Sequence, residues 1–340
     1  MNRFAIAVGA ALAASLLAPG LAPVASANPE AAAPAAPADP TLQKLQDLIK
    51  GHFSNDERAI AFFEIQTQDA GSMLIGEFYR IDAPSQIEGQ VLFQFVRRDG
   101  QIYLRTMRFP AGSRTAPGLW AAPQAMPSIL ASGLDILADL KVTTDSESEP
   151  TRFEAASVGR VPVFLDRAIE MSTEISADAN GMSIIEIGYD SAGKEAWRFP
   201  DNGVGLYRRV EAPAVEVTPE GLVIVDLVAP ADPNARTTVP GDTFSVAYTG
   251  WTPNGYQFDS SRQENRQPYT TKLPGQVVQG WNKGIPGMKV GQQRRLLIPG
   301  PLGYGERGNP QAGIPGNSWL VFDVEVVDAK PAEAPPAPTP

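Results

Sequence analysis

The chain has 340 residues, enough for two folded domains with extensions, and carries a formal net charge of −10. Its 43 % hydrophobic content is high enough for packed cores, and the excess of Asp and Glu over Lys and Arg speaks against a nucleic-acid or anionic-membrane partner, which would need a basic surface. With no cysteine, disulfides, thiol nucleophiles and Cys-ligated metals are excluded. One histidine cannot build a His-rich metal site.

Met1-Asn2-Arg3 is a short positive segment, followed by an apolar run from Phe4 to Leu17 and by the helix breakers Pro19, Gly20 and Pro23. Ala25-Ser26-Ala27 then has the A-x-A form of a signal-peptidase site, which predicts cleavage before Asn28 and a periplasmic or secreted protein. At about 14 residues the run is shorter than the roughly 20 needed to span a bilayer, so no membrane span is expected. Residues 28–40 are almost wholly Ala, Pro and acid and read as a linker. Residues 330–340 have the same composition and read as a disordered tail.

A first domain is expected over 41–215. Leu42, Leu45, Leu48 and Ile49 have helical spacing, with Asp39 as cap and Pro40 at the first helical position. Beyond Gly51 the pattern turns to strands: Met73–Ile81, Val91–Val96 and Ile102–Phe109, the last two joined by the hairpin signal Asp99-Gly100. Thr143–Glu149 is a polar loop. Ser183–Tyr189 and Trp197–Arg209 are further strands, interrupted at Ser191-Ala192-Gly193 and Asp201-Asn202-Gly203. Many short strands with turn chemistry predict a mostly antiparallel β domain, a barrel or a sandwich. Gly51-His52-Phe53-Ser54-Asn55-Asp56-Glu57 and Gly203-Val204-Gly205-Leu206-Tyr207-Arg208-Arg209 resemble segments of the CpcT/CpeT-type family associated with bilin attachment. That resemblance implies a lipocalin-like barrel with a central cavity. His52 is read as a packed or surface histidine rather than a catalytic one.

The second domain is expected over 216–329. Gly221–Val225 is a strand. Thr243–Tyr248 alternates with Phe244, Val246 and Tyr248 on one face. Val277, Val278, Trp281 and Ile285 mark one face of a short helix ended by Pro286-Gly287, and Arg294–Ile298 and Trp319–Val327 are strands. An α+β unit follows, a curved antiparallel sheet around one short helix.

The ordered words of this stretch resemble the FKBP-type peptidyl-prolyl cis-trans isomerase family over about 110 residues. They are Tyr248-Thr249-Gly250, Phe258-Asp259-Ser260-Ser261-Arg262, Gly275–Trp281, Gly284–Gly291, Arg294-Arg295-Leu296, Ile298-Pro299, Tyr304-Gly305, Ile314-Pro315 and Leu320–Glu325. The resemblance implies rotation of X-Pro bonds without a cofactor or metal, in proline-containing polypeptide clients, and an affinity for macrolide-type inhibitors. It places Trp281 at the floor of a prolyl pocket with Tyr248, Phe258, Tyr269 and Phe322 as walls and Val277 and Ile314 at the rim. The Val278 N–H and the Tyr304 hydroxyl would bond the bound chain's carbonyls, and Asp259 would support the pocket electrostatically.

The residue types suit that chemistry. Twisting an X-Pro amide destroys resonance worth about 18–20 kcal/mol, and the twisted form has less charge separation, so an apolar, water-free wall favours it. Departures from the family pattern lie at the rim. Glu264 stands where a basic partner of the aspartate is usual, leaving Arg262 or Arg266 to substitute. One extra residue separates Asp259 from Tyr269, and the loop from Asn309 to Ile314 is one residue longer, with Gly313 in place of a branched residue. Gln276 replaces a frequent Glu. Gly303-Tyr304-Gly305-Glu306-Arg307-Gly308 fits G-x-G-x-x-G, but Pro310 and Pro315 forbid the helix a dinucleotide site needs. A folding isomerase of exported proteins is thus the leading reading. A non-catalytic proline-peptide or apolar-ligand binder or chaperone is the alternative, and with one helical run before the strands a monomer is expected.

Overall fold

In the computed structural model, residues 39–165, 167–200 and 205–332 are described. The expected signal segment, most of the linker and tail, and the break at Asp201-Asn202-Gly203 lie outside them. Among the described residues no helix is long and apolar enough to cross a membrane. The chain divides into two compact units, 1–114 with 128–212, and 115–127 with 213–340. This division adds to the expected C-terminal domain the stretch 115–127, which by chain order belongs to the first region.

The first unit opens with α1 (Pro40–Ile49), whose N-cap Asp39 accepts the Thr41 N–H at 2.9 Å as its spacing predicts. The strands are β1 (Gly51–Ser54), β2 (Arg58–Thr67), β3 (Gly71–Arg80), β4 (Ala83–Arg98), β5 (Gln101–Arg108) and β6 (Asp135–Thr144). After them come β7 (Arg152–Ser157), β8 (Val161–Leu165), β9 (Ala168–Asp178), β10 (Gly181–Tyr189), β11 (Glu195–Phe199) and β12 (Leu206–Val210). Asp99 and Gly100, both with positive φ, turn β4 into β5 as a tight hairpin. The ring β12-β1-β2-β3-β4-β5-β6-β7-β9-β10 closes because β10 pairs again with β12, giving a ten-stranded antiparallel barrel; β8 and β11 flank β9 and β10.

Buried side chains cluster in the barrel's interior. Phe62 stacks on Phe93 at 5.2 Å, and Phe95 meets Phe153 edge-on at 5.2 Å. Leu45 and Ile49 of α1 join the same buried cluster. A ring of more than about eight strands leaves room beyond what its own side chains fill, and the helix supplies what is missing. The hollow beside Phe93, Thr106 and Glu186 measures about 60 Å³. It falls well short of the roughly 300 Å³ of a small-molecule site. The barrel expectation is met by the ten-stranded antiparallel ring, while a lipocalin-like barrel with a central cavity is not confirmed.

His52 is buried on β1, and desolvation pushes its pKa down to about 4 from 6.5. The unfolded chain binds the extra proton below about pH 6.5 while the folded one stays neutral down to about 4. The barrel should therefore lose stability as pH falls through that window, by up to about 3 kcal/mol. Unfolding midpoints of the wild type and His52→Gln between pH 7 and 4 test this. The difference between the two should shrink toward acid pH, and parallel curves would contradict it.

The second unit holds β13 (Val215–Val217), β14 (Val223–Val228), β15 (Thr243–Trp251), β16 (Gln257–Ser260), β17 (Tyr269–Lys272), α2 (Gln279–Gly284), β18 (Gln293–Ile298) and β19 (Leu320–Lys330). The sheet runs β13-β14-β18-β19-β15-β16, with β17 also on β15, and every pairing is antiparallel. Leu222, Ile224, Phe244, Val246, Leu296, Ile298, Leu320 and Val324 form one core with Trp281 and Ile285. The helix lies close on the sheet. A Cβ on Gly280 would come within 2.5 Å of Ile298 and one on Gly284 within 2.6 Å of Leu296.

Candidate functional site

Five aromatic side chains converge at the open end of that core. Trp281, on α2 and 4 % exposed, has its ring centroid 5.1 Å from Tyr248, 5.3 Å from Phe322 and 6.3 Å from Tyr269, each edge-on. Phe258 meets Phe322 edge-on at 5.4 Å. Tyr248 and Phe322 come from the adjacent strands β15 and β19, and the Gly250–Phe322 register brings Phe322 over a glycine. A Cβ at Gly250 would sit 2.6 Å from Phe322 and 2.7 Å from Phe258, so the two phenyl rings occupy the space a side chain there would need.

These rings line a hollow of about 440 Å³ together with Asp259, Gln276, Val277, Val278, Tyr304, Asn309, Gln311 and Ala312. Nine of the ten residues singled out in the sequence thus share one concavity. Ile314 is the exception. It is 2 % exposed and packs in the core, while Asn309 exchanges both backbone hydrogen bonds with it. The longer loop folds back on itself there, and the rim is furnished by Asn309, Gln311 and Ala312 instead. Those three, and Gln276 as a lining residue, were not assigned in the sequence; the extra loop residue was the signal that this edge would differ.

Val277 and Val278 were expected on the helix. α2 begins one residue later, with Val278 as its N-cap and the Val278 carbonyl accepting the Trp281 N–H at 3.0 Å. Both valines therefore lie outside the helix at the pocket edge, Val277 in a bend. Tyr304 is 38 % exposed and Tyr269 45 %, as suits rim groups able to meet a ligand. Around Tyr304 the glycine-rich word forms short 3-10 turns, Gly300–Leu302 and Gly305–Arg307, and not the α-helix a dinucleotide site requires.

Asp259 is held on three sides. It accepts the Tyr248 hydroxyl at 2.5 Å, the Ser260 N–H at 2.9 Å and the Arg266 guanidinium at 2.8 Å. Arg266 therefore stands where the basic partner was left open, and Arg262 binds Glu325 at 2.7 Å. Burial, and then the anionic acceptor beside it, push the Tyr248 phenol well above its usual range, so it stays protonated and keeps donating to Asp259. The result is one polar edge at Tyr248 and Asp259 beside otherwise aromatic surfaces, and among the described residues no cluster of His, Asp or Glu suited to a metal.

Another open hollow, of about 510 Å³, lies along β7, β9, β10 and β12. Its charges are of both signs and engaged locally. Arg152 faces Glu154 at 3.8 Å, and Asp178 accepts the N–H groups of Asn180 and Gly181. No set of donors or acceptors converges there as it does at Asp259.

Residues 234–327 match the family of FKBP-type peptidyl-prolyl cis-trans isomerases. FK506-binding protein 1 of Saccharomyces cerevisiae is 46 % identical over 109 residues, which are 32 % of this chain and 93 % of that protein. FK506-binding protein 4 of Gibberella zeae is 47 % identical over 98 residues, 28 % of this chain. Among solved structures, FkpA from Escherichia coli is 39 % identical over 35 % of this chain, with a TM-score of 0.31. The chain spans 19 % of the length of the Gibberella protein and 53 % of the FkpA chain.

Proposed function

The chain belongs, through its C-terminal domain, to the FKBP-type peptidyl-prolyl cis-trans isomerases, and from that premise we propose that this domain catalyses rotation about X-Pro bonds of polypeptides. The observation that carries the proposal is the ring-lined hollow formed by Tyr248, Phe258, Tyr269, Trp281 and Phe322. A prolyl ring seated on the Trp281 indole leaves its amide among apolar edges, where the twisted, less polar amide loses less solvation than the planar one. The Val278 N–H and the Tyr304 hydroxyl hold the chain on either side, which fixes the flanking residues while the prolyl bond turns. No bond to another group forms or breaks.

The same hollow is the place for a macrolide-type inhibitor, with the polar rim of Asn309 and Gln311 altering its fit. The export segment read in residues 1–27 supports a further part of the proposal: the clients are exported proteins whose folding waits on slow X-Pro isomerisation, tens to hundreds of seconds when uncatalysed. Cis-to-trans relaxation of a short X-Pro peptide, followed with the whole chain, tests the activity. Acceleration proportional to protein concentration is expected. Peptide binding without acceleration would favour a non-catalytic binding module.

A further inference from the structure

Residues 115–127 lie between β5 and β6 in chain order, yet their contacts place them in the second unit. They form two short 3-10 turns, Leu119–Ala121 and Pro123–Ala125. Thr115, Ala116, Leu119 and Ala122 are at most 1 % exposed. A proline-rich surface loop would not bury its small side chains so fully.

Two contacts tie this segment to the walls of the prolyl pocket. The Ala116 N–H donates to the Pro253 carbonyl at 2.9 Å. Pro253 lies in the turn between β15 and β16, and β16 carries Phe258 and Asp259. The second contact is at Gly118, which has φ +75° and lies so near Arg295 that a Cβ would fall 2.5 Å from the guanidinium. Arg295 in turn grips Asp323 through two hydrogen bonds of 2.6 and 2.8 Å, and Asp323 is the neighbour of Phe322 in β19. The face of the sheet turned away from α2 is withdrawn from water along the same rows: Val223, Leu297 and Val321 pair across β14, β18 and β19 and are at most 1 % exposed. A sheet with one helix on one side would ordinarily leave its other side to solvent.

We infer that residues 115–127 are a structural strap of the isomerase unit, and that Ala116 and Gly118 are positioning residues that hold the Phe258–Asp259 wall and the Phe322 wall in register. The inference rests on the isomerase reading for its kinetic consequence but not for its structural one. Misplacing reacting groups by about 1 Å can cost on the order of 100-fold in rate, so partial release of two walls should cost about 10-fold.

The experiment uses the full chain with two variants. Gly118→Val drives a branched side chain into Arg295 at a backbone angle it resists, and Ala116→Pro removes the donor to Pro253 while adding a rigid ring at a buried position. Peptide isomerisation is measured at varied substrate concentration to separate kcat from KM, and hydrogen exchange is read at residues 252–260 and 321–325. The expected result is a fall in kcat/KM of about 10-fold, faster exchange in both segments, and unchanged exchange in β2 and β3 of the barrel. Unchanged exchange in both segments for both variants would overturn the strap. Should the wild type show no isomerisation, the functional reading fails, while the exchange comparison still decides the strap. If Gly118→Val does not accumulate, Ala116→Pro carries the same readouts.

Discussion

Trp281→Ala is expected to lower kcat/KM for X-Pro isomerisation by about 100-fold, close to 2.7 kcal/mol of transition-state stabilisation. The indole is the floor on which the prolyl ring sits, and three other rings, Tyr248, Tyr269 and Phe322, pack their edges against it. Removing it does two things. It admits water beside the amide, which restores the solvation advantage of the planar form, and it releases the three rings that shape the walls. The same truncation leaves a cavity, and large-to-small changes of this kind cost about 3–5 kcal/mol of stability. Activity must therefore be normalised to the folded fraction. Trp281→Leu, which refills part of the volume, should recover stability more than it recovers rate. Phe322→Ala tests the opposite wall. Its ring lies 5.4 Å from Phe258 and 5.3 Å from Trp281, so its loss should disconnect Phe258 from the pocket. A folded Trp281→Ala protein with wild-type kcat/KM would refute the apolar-floor account.

The site was legible because its residues are read in short ordered words whose spacing the fold preserves: Tyr248 and Phe322 lie diagonally across adjacent strands, and Trp281 sits on the helix that covers them. What was not legible depends on long-range packing. β2 was missed because Ala59 to Phe63 is buried on both faces, so the run Arg58–Thr67 shows no alternation to distinguish strand from helix. β9 was missed for the opposite reason. It is polar at most positions, and only Ala168, Thr173, Ile175 and Ala177 are buried. The choice between Arg262 and Arg266 could not be made from spacing, because the chain between β16 and β17 decides which guanidinium reaches Asp259. Ile314 kept its place in a family word but packs in the core rather than at the rim, a placement spacing alone does not reveal. The stretch 115–127, with Pro117, Gly118, Pro123 and Pro127, has the composition of a surface loop. Its partners Pro253 and Arg295 lie more than 100 residues away, and no local pattern announces them.

The buried ion pair behind the pocket carries the second large effect. Arg295 and Asp323 meet through two parallel hydrogen bonds of 2.6 and 2.8 Å, with side chains only 5 % and 4 % exposed. At that depth each charge has lost its water and depends on its partner. Asp323→Asn keeps the shape but leaves a guanidinium without its anion. Breaking such a pair from one side costs about 3–5 kcal/mol, well above the ~0–1 kcal/mol typical of exposed pairs. Amides of β18 and β19 that exchange through unfolding of this unit should then exchange about 100- to 4000-fold faster, since each 1.4 kcal/mol is a factor of ten. The double replacement Arg295→Met with Asp323→Leu removes both charges together and should cost less than the single change, because no charge is left stranded. Exchange in Asp323→Asn that matches the wild type would mean that Arg295 draws its compensation from elsewhere. A double variant worse than the single would mean that the pair contributes attraction beyond cancelling its own desolvation.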